Sequence, residues 1–181
     1  QIIGLNLHQG IGRLLPPATR HLVDEVTAAY ARAYRMLREE QGLVDAMYDG
    51  MAEVLDTLEA RGVLLAIATG KSRRGLDSAL ASHRIAHRFV ALETPDTARG
   101  KPDPDMVLRI LSATGVRAAR AAMIGDTSFD MEMARAAKVS AVGVAWGYHP
   151  SAALQAAGAH VVVERPQALS RIVLERLEGA A

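Results

Sequence analysis

The spacing of apolar positions along the chain changes near residue 48. Before that point, apolar side chains recur at helical spacing with charges between them, which predicts helix and no strand beyond Leu7. After it, short continuous apolar runs alternate with amphipathic stretches of about ten residues. Alternating strands and helices are typical of a parallel sheet with helices on both faces. We therefore predict a helical element over residues 1–48 and an α/β domain, a doubly wound parallel sheet, over residues 49–181.

The apolar runs give the boundaries of the predicted elements. The run at 63–68 is bounded by glycines, and its unbroken apolar character predicts a strand buried on both faces of the sheet. Further strands are predicted at 89–92, 121–124, 139–146 and 161–163. Helices are predicted at 50–60, 72–83, 104–113, 128–137, 152–157 and 166–177.

The composition narrows the chemistry and the partners. Half of the residues are hydrophobic and 23% are charged, which is typical of a globular domain. The net charge of +1 provides no bulk basic field, which argues against nucleic acid or an anionic membrane as a main partner. No apolar run has the length of a membrane span. The chain has no cysteine, which excludes thiol nucleophiles and cysteine-ligated zinc and fits a cytoplasmic protein.

Polar residues follow the first predicted strand, at the sheet edge where parallel sheets bind their ligands. Thr69, Gly70 and Lys71 come directly after the run at 63–68. A hydroxyl and free backbone N–H groups at a helix start can hold an anion, and Lys71 would then touch a phosphate. Helix capping by Thr69 or Ser72, with a solvated Lys71, is the alternative interpretation.

Two carboxylates and a lysine extend this pattern. Asp126 and Asp130 follow the run at 121–124, and acids this close at a strand end can share a hard cation such as Mg²⁺. The alternative is that Asp126 caps the next helix and Asp130 matches its dipole. Lys101 lies between Gly100 and Pro102, where it would present a point charge to a phosphate unless it is a solvated surface lysine.

The histidines are weaker evidence for a functional site. His149 follows the strand predicted at 139–146 and would approach a substrate or serve only its own loop. His83 and His87 lie at a helix end among charged residues, where we expect them on the surface.

The order of these segments resembles the haloacid dehalogenase-like hydrolase superfamily, in its phosphoglycolate phosphatase-like branch, over essentially the whole chain. The resemblance implies a Rossmann-like core in which Thr69 holds the transferring phosphoryl group and Lys101 stabilises charge on nucleophile and phosphoryl. It implies that Asp126 and Asp130 bind Mg²⁺, with Asp130 acting directly, through water, or by holding Lys101. Residues 1–48 resemble the helical cap of that branch, whose closure excludes water and selects the substrate.

What the resemblance implies for function is Mg²⁺-dependent hydrolysis of a small phosphorylated metabolite, a phosphate monoester such as phosphoglycolate, through an aspartyl phosphate. The oligomeric state is not indicated. A receiver-like phospho-switch uses similar groups, but its acidic pair comes first in the chain, whereas Asp126 and Asp130 come last. A catalytically dead relative that serves as a binding module is the other alternative.

One departure from the family pattern supports that last alternative. The first motif, Asp-x-Asp-Gly-Thr, carries the nucleophilic aspartate and the central strand, and it is absent from the sequence. Together with a start at Gln1, this favours truncation over divergence. We therefore predict that the 181-residue chain alone is not a competent phosphatase. We also predict a gap where the strand belongs, a strand lent by another chain, or two sheet halves that have closed directly.

Overall fold

The computed structural model describes residues 2–42 and 45–179. Its elements follow the predicted boundaries closely, and the predicted α/β architecture is confirmed. The helices are α1 (Leu7–Leu14), α2 (Val23–Gln41), α3 (Met51–Ala60), α4 (Arg73–His83), α5 (Asp105–Thr114), α6 (Ser128–Ala136), α7 (Ser151–Ala156) and α8 (Leu169–Glu178). The strands are β1 (Leu65–Ala68), β2 (Phe89–Glu93), β3 (Ala122–Gly125), β4 (Ser140–Val144) and β5 (Val161–Val163).

The described strands form two parallel sheets rather than one. β1 pairs with β2, while β3, β4 and β5 pair in that order. Successive residues of β4 face opposite sides, so Ala141 packs with α5, α6 and α7, whereas Val142 and Val144 pack with α3 and α8. Helices thus cover both faces of the larger sheet. On the face covered by α5, α6 and α7, methionines rather than aromatic rings fill much of the core. Met106, Met131 and Met133 are fully buried there.

A slot of about 650 Å³ lies between the two sheets, and we call it the central slot. Residues 64–66 and 68 line one side and residues 121–124 line the other, with apolar side chains of α5 and α8 between them. Among the described residues, the central slot corresponds to the predicted gap between β1 and β3, and the two halves of the sheet have not closed directly. The prediction that the run at 63–68 is buried on both faces is wrong, because Leu64 is 55% exposed and the inner edge of β1 faces the slot.

The N-terminal element is helical, as its pattern predicted. A 3₁₀ turn at Pro17–Leu22 joins α1 to α2, and the apolar side chains Val26 and Leu37 of α2 lie exposed. That this element acts as a cap stays a prediction. Within the part of the chain that the structure describes, no helix combines the length and the apolar character needed to cross a membrane.

Candidate active site

Lys101 and Asp130 form a buried ion pair at the start of α6. The Lys101 Nζ atom lies 2.6 Å from Asp130 Oδ1, and the two side chains are 10% and 3% exposed. The other carboxylate oxygen, Oδ2, accepts hydrogen bonds from the backbone N–H of Thr127 at 3.0 Å and from its hydroxyl at 2.7 Å. Both oxygens of Asp130 are therefore engaged within the chain. Of the functions left open for this acid, the geometry corresponds to holding Lys101.

The sequence builds this pair through a capping box and a close glycine. Thr127 and Asp130 exchange hydrogen bonds across the first turn of α6, which satisfies backbone N–H groups that the helix leaves without partners. A Cβ atom at Gly125 would overlap the side chain of Asp130. Glycine at the end of β3 is thus what allows the acid to approach the strand tip.

Asp126 lies at the tip of β3 and is wrapped by the loop that follows β4. Its Oδ2 atom accepts the backbone N–H of Tyr148 at 3.1 Å, and its carbonyl accepts the N–H of His149 at 3.0 Å. A side chain at Gly147 would collide with Asp126. The loop therefore fixes the orientation of this carboxylate, and only glycine at position 147 leaves room for it.

The fit to a metal ion rests on Asp126. No group of three acidic or histidine side chains in residues 2–42 and 45–179 is arranged to hold a cation. Mg²⁺ in phosphate-processing sites commonly takes one or two carboxylates, with waters and phosphate oxygens as the other ligands. Asp126 fits that arrangement as one protein ligand. Asp130 offers no free oxygen in this structure, so its predicted direct binding to metal has no geometric support here.

In the loop after β1, different residues serve helix capping and candidate ligand binding, which the sequence alone did not distinguish. Ser72, not Thr69, caps α4, because its Oγ accepts the N–H of Gly75 at 3.3 Å. The Thr69 hydroxyl instead accepts the N–H of Lys71 at 3.2 Å, and the Thr69 N–H donates to the carbonyl of Glu93. In its contact with Lys71 the Thr69 hydroxyl accepts, so its proton can be donated to a bound group.

Lys71 is held by the segment between α2 and α3. Its Nζ atom lies 2.8 Å from Asp45 Oδ2, and Arg38 Nη1 lies 2.8 Å from Asp45 Oδ1. The hydrogen bond from Lys71 is the largest cause that lowers the pKa of Asp45, with a further contribution from Arg38. His83, expected on the surface, is half-buried, and its ring Nε2 contacts the Asp45 carbonyl at 2.6 Å. Asp45 thus ties the helical element to the loop after β1.

The N-terminal segment 2–6 touches all three of the predicted site loops. A Cβ atom on Gly4 would lie 2.6 Å from Thr127 Oγ1. A Cβ on Gly70 would lie 3.0 Å from the Leu5 carbonyl, and one on Gly100 would lie 2.5 Å from Asn6 Nδ2. The loops that carry Thr69, Lys101 and Asp126 therefore share one neighbour. The sequence places residues 2–5 in the segment that resembles the cap, but it did not predict their contact with the site loops, because these residues carry no charge and follow no strand.

Two further residues near Asp126 complete the description. Partial burial raises the pKa of Tyr48, and the negative charge of Asp126 raises it further. Tyr48, in the segment before α3, is 51% exposed and thus lies near Asp126 at the surface. His149 is buried, and its Nδ1 accepts the N–H of Ser128 at 3.1 Å. Its Nε2 is buried and has no partner among the described residues. His149 thus serves the start of α6, and no sequence signal pointed to Tyr48.

Comparison with known proteins identifies the family. A model of the haloacid dehalogenase-like hydrolases matches residues 1–144. The chain belongs to this family.

Relatives and solved structures agree with this assignment. The chain is 35% identical over 166 residues to the probable phosphatase IndB of Dickeya dadantii, covering 90% of this chain and 71% of that protein. It is 32% identical over 134 residues to the N-acetylmuramic acid 6-phosphate phosphatase of Pseudomonas aeruginosa, covering 73% of this chain and 59% of that protein. A hydrolase from Pseudomonas syringae has a similar structure, with a TM-score of 0.76, 26% identity and coverage of 96% and 79% of the two chains. The chain thus spans only part of each relative.

Proposed function

We propose that this chain provides the phosphate- and metal-binding side of a phosphatase that hydrolyses small phosphate monoesters. The observation that carries the proposal is the buried ammonium of Lys101, held by Asp130 beside the strand tip that bears Asp126. A buried, anchored cation next to a wrapped carboxylate suits phosphate chemistry, because a phosphoryl group brings negative charge that needs fixed positive partners. Membership of a hydrolase family that includes phosphatases supports the same conclusion.

Each residue has a separate task in this proposal. Lys101 binds phosphoryl oxygens and stabilises the charge that develops on them. The Thr69 hydroxyl and the N–H groups at the start of α4, including that of Gly70, orient the phosphoryl group. Asp126 would hold Mg²⁺, which when bound offsets the negative charges of nucleophile and phosphate. Asp130 positions Lys101, and Lys71 reaches a phosphate only after it leaves Asp45.

The nucleophile is the part that the described carboxylates do not supply. Asp130 is fully engaged, and Asp126 is assigned to the metal. The family resemblance implies an aspartate at the end of a central parallel strand. The two walls of the central slot could each pair with an inserted strand, because the inner edges of β1 and β3 carry backbone groups that a buried sheet must pair. We therefore propose that an apolar strand ending in an aspartate occupies the slot and accepts the phosphoryl group, and that turnover depends on it.

The proposed substrate class rests on the family resemblance, which implies a small phosphate monoester. Residues 1–48 would act as the cap, with segment 2–6 against the phosphate loops and Tyr48 near Asp126. Closure of such a cap would exclude water and select the substrate. Phosphoglycolate-like monoesters are the proposed substrates.

The test uses a version of the chain preceded by an apolar strand that ends in Asp-x-Asp-Gly-Thr, assayed with an aryl phosphate and Mg²⁺. Lys101→Met should lower kcat/KM by about a hundredfold or more, since a fixed charge at the developing anion is lost. The matched control is Arg32→Met, which removes an exposed cation of α2. A version that binds phosphate but never turns over would instead support the binding-module alternative.

A further inference from the structure

A second cavity lies at the end of the larger sheet opposite the candidate active site. It has a volume of about 460 Å³ and opens where β4 begins, between the last turn of α6 and helix α8. We call it the basic pocket and define it by Arg135, Lys138, His160 and Arg176. Because the strands are parallel, their amino ends meet here while Asp126 follows a carboxyl end. The pocket is therefore separate from the residues assigned to phosphate hydrolysis.

The ring of His160 leaves one N–H group without an acceptor among residues 2–42 and 45–179. Its Nδ1 accepts the backbone N–H of Ala141 at 2.8 Å, and a backbone N–H can only donate. The ring proton must then lie on Nε2. The neighbour of Nε2 is Arg135 Nη1 at 2.9 Å, which is also a donor. Two donors thus face each other on the surface, since Arg135 and His160 are both exposed. An oxygen of water or of an anion that binds beside them would accept from both.

The described carboxylates do not neutralise the charge of this pocket. Within the described residues, no carboxylate forms an ion pair with Arg135, Lys138 or Arg176. The acid that lines the pocket, Glu175, accepts a hydrogen bond from Arg171 at 2.7 Å. Arg176 donates a hydrogen bond to the backbone carbonyl of His160 at 3.3 Å, which does not neutralise its charge. As far as the described residues go, the cations of the basic pocket are therefore available to an external anion.

Lys138 occupies a backbone position that favours glycine. Its φ of 59° is left-handed, and it directly follows the end of α6. Helices α2 and α5 place glycine in this conformation, with φ of 59° at Gly42 and 69° at Gly115. A side chain other than glycine adopts this conformation at a cost in free energy. A lysine here places an ammonium at the rim of the pocket despite that cost.

We propose that the basic pocket binds a small phosphate-bearing anion. One phosphate oxygen would accept hydrogen bonds from His160 Nε2 and Arg135, while Lys138 and Arg176 offset the charge. A phosphate presents several acceptor oxygens to donors that converge from different directions, which a single carboxylate does not. The ligand is either inorganic phosphate or the phosphate group of a metabolite.

The experiment titrates the protein with inorganic phosphate and follows the ring nitrogens of His160 by NMR. This local signal separates binding in the basic pocket from phosphate binding at the candidate active site. We expect a saturable shift of His160 Nε2 that sodium chloride at matched ionic strength does not reproduce. A phosphorylated sugar, titrated in parallel, distinguishes the two sources by its tighter or weaker saturation.

Three variants make the result specific. Arg135→Gln should weaken phosphate affinity by about tenfold or more, because a charge-assisted hydrogen bond is lost. Lys138→Gly should weaken affinity without lowering the thermal midpoint, since glycine relieves the left-handed backbone. Arg32→Gln removes the same charge from α2 and should change nothing. The proposal is overturned if His160 shows no saturable shift, if chloride gives the same shift, or if all variants bind equally.

Discussion

Lys101 Nζ lies 2.6 Å from Asp130 Oδ1, and this contact joins the turn before α5 to the first turn of α6. Two ions withdrawn from water are stable only while both remain, because either one alone keeps its desolvation penalty without its partner. The pair therefore anchors a cation at the candidate site and makes the local fold depend on that anchor.

Removal of one partner should destabilise the protein strongly. We expect Lys101→Met or Asp130→Asn to lower the free energy of unfolding by about 3–5 kcal/mol. The double variant should lose less than the sum of the two, which a double-mutant cycle in urea measures. Asp77→Asn, which breaks an exposed pair with Arg73, is the control and should cost less than about 1 kcal/mol. Single variants of the buried pair that cost no more than this control would contradict the account.

Glycine should be required at position 4 for two reasons: a side chain there would collide with Thr127, and the backbone has a positive φ. Gly4→Ala would place a Cβ atom 2.6 Å from Thr127 Oγ1 at a φ of 104°. The control, Gly42→Ala, imposes left-handed strain at a φ of 59°, and no atom of the described residues lies within 4 Å of the added Cβ. We expect the control to cost about 1 kcal/mol and Gly4→Ala to cost clearly more and to weaken phosphate binding. Equal losses of stability in the two variants would show that segment 2–6 does not press on the site loops.

The tie between Asp45 and Lys71 should contribute stability that depends on pH. The pKa of Asp45 is lowered below its ordinary value of 3.8, first by Lys71. The folded state therefore binds this proton less readily than the unfolded state, so the contribution is complete above the unfolded pKa. It is lost as the pH falls through the folded pKa.

Urea unfolding at several pH values measures this contribution. At pH 7, Asp45→Asn should lower the unfolding free energy by about 1 kcal/mol or less, since the carboxylate is 37% exposed and partly screened. The two proteins should converge in stability as the pH falls below 3.8 and through the folded pKa of Asp45. A difference that does not begin to shrink once the pH falls below 3.8 would exclude a contribution from the ionised carboxylate.

Metal affinity should depend on Asp126. Asp126→Asn replaces a charged oxygen ligand by a neutral amide oxygen, and we expect at least about tenfold weaker Mg²⁺ binding by calorimetry with phosphate present. Asp24→Asn, on the exposed surface of α2, is the matched control and should bind as the parent does. Unchanged Mg²⁺ affinity in Asp126→Asn would refute the assignment of this carboxylate.

The sequence located the strands and the polar residues at their ends because both depend on local pattern. Apolar runs with glycine at their ends predicted β1 and β3 within a few residues. Local pattern did not predict that Leu64 would be exposed, because the burial of a strand depends on what lies beside it.

Contacts between distant segments escaped the sequence interpretation. Asp45 holds Lys71, and Tyr48 lies near Asp126, although neither pair is close in the chain. Gly147 leaves space for Asp126 by its lack of a side chain, and nothing in the local pattern shows which distant residue a glycine accommodates. Charges and hydroxyl groups directly after strands are readable from sequence, whereas the small residues that make room for them are not.

The proposed function depends most directly on the occupant of the central slot. The deciding measurement is Mg²⁺-dependent hydrolysis of an aryl phosphate by the 181-residue chain and by the same chain preceded by an apolar strand ending in Asp-x-Asp-Gly-Thr. The account predicts turnover only with the added strand, abolished there by Asp126→Asn. Equal turnover by the 181-residue chain, also abolished by Asp126→Asn, would contradict it and would place the nucleophile among the residues already present.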